Sequence, residues 1–216
     1  TYGESELAAT VMGTEYVIGQ QGDNPAADDK VAACAKHFIG YSFPFTGKDR
    51  TPALIPERML REIFLPPFRK TIDAGALTVM VNSSEINGIP VHASPYYLIE
   101  LLREELNFEG VIVTDWNDIN NLYTREMVAA DQKEAVRMGV EAGLDMSMVP
   151  YDFSFYNHLI ELVNEGTIPE SRVDESVRRI LKLKYQVGLF DDPYPVKSLE
   201  NEFATEESRQ VSLQSA

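Results

Sequence analysis

The chain has 216 residues, with 34 acidic and 19 basic side chains and a formal net charge of -15. Hydrophobic residues make up 44% and charged residues 25%, the composition of a globular chain long enough to bury a sizeable core. The acidic balance excludes nucleic acid and an anionic membrane surface as partners, because both require a basic face.

A single cysteine, Cys34, allows no internal disulfide, and with three histidines it leaves no soft-metal cluster. No apolar run approaches the roughly 20 residues of a bilayer span. The opening residues Thr1-Tyr2-Gly3-Glu4 carry neither an initiator Met nor a signal pattern, and they read as the interior of a longer chain.

In chain order, a helix is expected over 7–20. Four β-rich apolar runs follow, at 31–38 (VAACAKHF), 77–82 (LTVMVN), 110–115 (GVIVTD) and 144–149 (LDMSMV). They alternate with helical spacing over 56–74, 95–106 and 125–142. The runs are nearly apolar throughout, as in strands of a parallel sheet covered on both faces. Gly75, Gly110 and Gly143 fall where helices stop and strands begin. Two further helices are expected over 153–165 and 170–187, the second amphipathic through Val173, Val177, Ile180, Leu181 and Leu183 and closed by Gly188. Asp191-Asp192-Pro193-Tyr194-Pro195 then breaks structure, and the polar, acidic remainder reads as an exit linker. The class is α/β with repeated βα units, either a small open doubly wound sheet or half of an eight-fold barrel. No Gly-x-Gly-x-x-Gly follows a strand and no Gly-Lys-Ser/Thr loop exists, so nucleotide binding has no support.

The strand ends carry the chemistry. Lys36-His37, Asn82-Ser83-Ser84-Glu85 and Asp115-Trp116 close the first three runs, at the edge where parallel α/β folds place their sites. Asp115 is the foremost candidate, with a helix N-cap as its plain alternative. Trp116, the only Trp, offers a flat apolar face suited to a sugar ring, or else serves as an ordinary rim aromatic. Lys36 and His37 are adjacent donors for substrate hydroxyls, and a buried Lys36 would need an ion pair with Asp115 or Glu85. Glu85 is a second carboxylate, as glycoside hydrolysis requires, or a partner that holds Lys36 or Arg50. His92 is expected to satisfy backbone groups, His158 to lie on a polar helix face, and Cys34 to be a small buried hydrophobe. The loop 40–52 (GYSFPFTGKDRTP) has Tyr41, Phe43 and Phe45 to shape a pocket, with Lys48, Asp49 and Arg50 in reach of it. Asp28-Asp29 and the acidic stretch from Glu200 to Glu207 read as solvated surface.

Several of these stretches carry a resemblance. YGES (2–5), AKHFIGYS (35–42), GKDRTPA (47–53), LREIFLPPF (60–68), VMVNSSEINGIPVHAS (79–94), FEGVIVTDW (108–116), EAGLDMSM (141–148) and SVRRILKLKYQVGLFDDPY (176–194) follow one another in the order found in glycoside hydrolase family 3. Over nearly its whole length the chain resembles this β-glucosidase family. The resemblance implies the C-terminal half of a (β/α)8 TIM-type barrel over 1–190, with four parallel strands and their helices. Residues 191–216 would then begin a linker toward an α/β sandwich domain. It implies a retaining, exo-acting β-glucosidase in which Asp115 is the nucleophile, Lys36 and His37 hydrogen-bond hydroxyls of the terminal sugar, and Trp116 flanks it. A β-xylosidase of the same family is the enzymatic alternative, and a non-catalytic sugar-binding fragment the other. The family's acid/base Glu lies in the sandwich domain, so the chain alone is expected to be inactive. The implied partners are a β-linked oligosaccharide or aryl glucoside and the N-terminal half-barrel and sandwich domain. No metal and no organic cofactor is implied, and relatives of this branch are often periplasmic or secreted. Ser83 stands where many members carry an aromatic, and Ile39-Gly40-Tyr41 lacks the histidine loop of the N-acetylhexosaminidase branch.

Overall fold

The computed structural model describes residues 2–149, 151–202 and 204–215. Thr1, Pro150, Phe203 and Ala216, which fall in the expected segments 1–190 and 191–216, lie outside the described residues. Helix α1 (Glu6–Gln21) starts at Ser5, whose hydroxyl accepts from the Ala8 N–H at 3.3 Å. Strand β1 (Cys34–Phe38) follows, then one helical stretch built from α2 (Glu57–Met59), a π-turn (Leu60–Phe64) and α3 (Leu65–Asp73). Strand β2 (Thr78–Val81) leads into a short hairpin, β3 (Glu85–Ile86) and β4 (Ile89–Pro90), and a 3-10 turn (Val91–Ala93). A π-helix (Tyr96–Glu105) precedes β5 (Val111–Val113). The chain continues through α4 (Asp118–Thr124), α5 (Gln132–Glu141), α6 (Ser154–Asn164) and α7 (Glu170–Gln186). A 3-10 turn (Lys197–Glu202) and α8 (Glu206–Ser215) stand in the segment expected to be a linker, and α8 buries no residue.

Three strands form a parallel sheet in the order β1-β2-β5. The fourth expected run does not form a strand among the described residues: it contributes one parallel bridge, Met146 to Val113. Asp145 explains this. Its Oδ2 accepts from the Ile112 N–H at 2.9 Å, where a ladder would supply a backbone carbonyl. The helix expected over 125–142 is shorter, since only α5 (Gln132–Glu141) is helical there, and α4 lies wholly before it. Asp131 caps α5 by accepting from the Glu134 N–H at 2.8 Å, and Met127, at φ 56, interrupts the segment before it.

One face of the sheet is packed. Phe38, Val79, Val81 and Ile112 are fully buried there with Leu60, Leu98, Leu101 and Leu102 from the helices. Phe38 meets Phe68 of α3 edge-on, centroids 5.0 Å apart. On the other face Cys34, Lys36 and Met146 are exposed. Val111 and Val113 of β5 are buried on that same face, so the cover is incomplete only around β1 and Met146, and Cys34 is not the buried hydrophobe expected. At Gly110 the strands approach so closely that a Cβ would sit 2.2 Å from the Leu77 carbonyl oxygen.

A buried ionic cluster ties the helices to the sheet. Asp145, whose side chain is 0% exposed, accepts from Arg103 at 2.5 Å, Arg179 at 2.9 Å and Ser176 at 3.0 Å. Arg103 also donates to the carbonyls of Phe108 and Gly110. Burial first of all pulls the Arg103 guanidinium down to about 10, which leaves it charged at neutral pH.

Candidate active site

The site lies at the carboxyl ends of β1, β2 and β5. In β1 a bulge sets two residues, Lys36 and His37, against one position of β2, because Ala35 pairs with Val79 and Phe38 with Val81. Bulges re-aim side chains, and here the His37 ring comes to Asp115, with Nε2 3.4 Å from Oδ2. Burial lowers the His37 pKa while Asp115 opposes it, so the imidazole is mainly neutral at neutral pH. Lys36 stays exposed, and among the described residues no carboxylate pairs with it, Asp115 and Glu85 included.

Asp115 follows β5 and is buried. Its Oδ1 accepts from the Trp116 N–H at 2.5 Å, and its own N–H donates to Nε2 of His92 at 3.3 Å. The N-cap position of α4 belongs to Asn117, not Asp115. The Asp115 carboxylate is thus not consumed in capping a helix. Trp116 itself is half exposed, at 51%.

Loop 40–52 supplies one cation. Arg50 lies between three carboxylates: Asp115 Oδ1 at 3.7 Å, Asp118 Oδ1 at 3.8 Å and Asp49 Oδ2 at 3.8 Å. Lys48 is exposed, and Asp49 braces the loop by accepting from the Tyr41 hydroxyl at 2.5 Å. Tyr41 packs on His37, ring centroids 4.7 Å apart, and burial together with the Asp49 contact pushes its hydroxyl up to about 12.

Three further side chains complete the cluster, and of these only His92 was a candidate from the sequence. Asp118, in the first turn of α4, is 2% exposed, and its Oδ1 accepts from Asn121 Nδ2 at 2.7 Å and Arg125 at 3.4 Å. Arg125 also donates to the Ser83 carbonyl at 2.8 Å. His92 does satisfy a backbone group, as expected, but the group is the Asp115 N–H. Burial brings His92 down to about 4, against the pull of Asp118 and Asp115, so it is neutral. The spacing of Asp118 three residues beyond Asp115 was the available signal, since it puts both carboxylates near one helix start.

The remaining candidates separate from this cluster. Glu85 sits in β3 with its pKa raised by burial and by Glu126, and it forms no ion pair with Lys36 or Arg50 among the described residues. Ser83 is fully buried. Among the described residues, the buried side-chain atoms without a hydrogen-bond partner are Asn82 Oδ1, Ser83 Oγ and Asp118 Oδ2, all at this edge. His158 lies on α6 beside Glu161, 3.4 Å away, as its polar face predicted. No group of His, Cys, Asp and Glu among the described residues is arranged to hold a metal ion.

The profile of the glycosyl hydrolase family 3 N-terminal domain matches residues 1–183. The chain belongs to glycosyl hydrolase family 3. A lysosomal beta glucosidase of Dictyostelium discoideum is 54% identical over 201 residues, covering 90% of this chain and 24% of that protein. A beta-xylosidase of Formosa agariphila is 35% identical over 225 residues, covering 100% of this chain and 31% of the relative. Among solved structures, a β-glucosidase from Listeria innocua in complex with glucose superposes with a TM-score of 0.90 at 32% identity, covering 96% of this chain and 29% of that one. The family-3 chain thus spans about a quarter to a third of the length of these relatives.

Proposed function

We propose that the protein containing this chain is a retaining exo-acting β-glucosidase and that Asp115 is its nucleophile. The observation that carries the reading is the state of Asp115: one oxygen is held by the Trp116 N–H, and the other turns toward His37 at the strand edge. An electron pair of Oδ2 would form a bond to the anomeric carbon as the glycosidic C–O bond breaks. The leaving oxygen takes its proton from a carboxylic acid outside this chain, and water then releases the sugar from Asp115. Lys36 and His37 donate to hydroxyls of the terminal sugar, and the open face of Trp116 packs on a ring. The exposed sheet face with Cys34, Lys36 and Met146 is the interior of a (β/α)8 barrel whose other strands come from residues outside this chain. Residues 191–216 lead toward a sandwich domain. The lysosomal designation of the Dictyostelium relative supports a compartment outside the cytosol.

The test is Asp115→Asn in a full-length family-3 protein carrying this sequence, with an aryl β-glucoside as substrate. Turnover is expected to fall by several orders of magnitude, and near-normal activity contradicts the assignment. The Formosa xylosidase supports a second reading, a β-xylosidase, which lacks only the hydroxymethyl contact. Comparing kcat/KM on matched aryl glucoside and xyloside separates the two.

A further inference from the structure

Among the described residues the Arg50 guanidinium makes no ion pair closer than 3.7 Å. It hangs at 3.7–3.8 Å from three carboxylates, so its position is a balance of three attractions. Asp49, 75% exposed, draws it outward, and buried Asp118 draws it inward across Asp115. Asp118 is itself an expensive residue. Its side chain is 1% exposed, yet Oδ2 has no hydrogen-bond partner among the described residues, and the nearest polar ring atom, Nε2 of His92 at 3.8 Å, already accepts from the Asp115 N–H. A buried carboxylate left half-satisfied costs stability, whereas its other oxygen collects Asn121, Arg125 and Arg50. Asn121 and Arg125 fix where that oxygen points, and it points at the cation shared with Asp115.

We propose that Asp118 is a positioning residue for Asp115: it holds the Arg50 guanidinium against Asp115 Oδ1, so that Oδ1 is fixed by Arg50 and Trp116 and Oδ2 is the oxygen presented to the sugar. The inference rests on the reading of Asp115 as nucleophile. Without Asp118, Arg50 relaxes toward Asp49 and the Asp115 carboxylate loses one of its two clamps.

The experiment uses the full-length protein and a 2-deoxy-2-fluoroglucosyl fluoride, whose fluoride leaves without a general acid, so that its rate of covalent attachment reads the nucleophilic step. Asp118→Asn and Arg50→Gln are each expected to slow labelling about tenfold, equivalent to about 1.4 kcal/mol of barrier. The double variant is expected to be no slower than either single one. Arg50→Lys is expected to recover part of the loss, and competitive inhibition by glucose is expected to change less than about twofold, the split of a positioning role. Labelling at the wild-type rate in Asp118→Asn, or losses that multiply in the double variant, overturns the proposal. Should Asp118→Asn fail to fold, Asn121→Ala frees the same Oδ1 at lower cost. A slowing that vanishes in the Arg50→Gln background supports the proposal, and no slowing overturns it. Label recovered on a residue other than Asp115 overturns the underlying assignment and the inference together, whereas label on Asp115 with an unchanged rate in Asp118→Asn removes only the inference.

Discussion

Burial sets the charge of the side chains nearest Asp115, and pH reads it out. His92 carries an ordinary imidazole pKa of 6.5 when unfolded and about 4 when folded, because desolvation outweighs Asp118 and Asp115. As pH falls from 6.5 toward 4 the unfolded chain takes up a proton that the folded chain refuses, so stability is lost across that window. His92→Gln, which can still accept from the Asp115 N–H, is expected to give a flatter dependence of the unfolding midpoint on pH between 6.5 and 4. Glu85 has the opposite sign: burial and Glu126 raise its pKa, so its ionisation destabilises the fold as pH rises. Trp116→Ala, made in the full-length protein, is expected to raise KM for an aryl β-glucoside about fivefold with little change in kcat, since only an exposed stacking face is lost. Asp115, His37 and Trp116 were legible because a strand that ends in polar residues announces its edge. Asp118 and Arg125 were not, and His92 only as a partner of the backbone, because an acid in a first helical turn and a loop histidine look the same whether they serve a site or a cap.

Among elements, the end of β5 depends on one carboxylate. Asp145 joins the sheet, the π-helix and α7, with Arg103, Arg179 and Ser176 all bonded to a side chain out of water. Asp145→Ala leaves Arg103 buried without its partner and is expected to cost about 3–5 kcal/mol in urea unfolding, the range for breaking a buried pair. An unchanged midpoint would remove the cluster from the account of stability. The same residue limits what the apolar pattern could tell. Leu144, Met146 and Met148 suggested a fourth strand, but hydrophobicity does not record that an intervening Asp displaces a backbone acceptor. The split between α4 and α5 was legible in principle, since Asp131 and Glu134 have the spacing of a capping pair. The apolar spacing over 125–142 runs straight across that cap and hides it.

For the molecule as a whole, the exposed part of the sheet around β1 is what bears on behaviour in solution. Strand β1 is an outer strand of the sheet, and the surface bearing Cys34, Lys36 and Met146 is exposed. The isolated 216-residue chain is expected to self-associate at micromolar concentration, and more readily in high salt, because a net charge of -15 repels its copies when unscreened. Light scattering across a salt series checks this, and a monomer at every ionic strength contradicts it. Composition excluded classes of partner at this scale and allowed a sizeable core. The order of the matching stretches implied part of a larger barrel, and the share of each relative that is covered sets the chain beside longer proteins.

The bulge in β1 carries a consequence of number rather than of identity. Ala35 and Phe38 both face the packed side, with two residues between them where regular alternation allows one. Two neighbouring donors at the rim and an unbroken ladder are therefore mutually exclusive. Replacing Lys36 removes a group, but deleting it removes a place: the strand would pair more regularly, and only one side chain would remain to be presented. The length of this short segment is thus under tighter constraint than its chemistry, and insertions or deletions there are expected to be far less tolerated than substitutions.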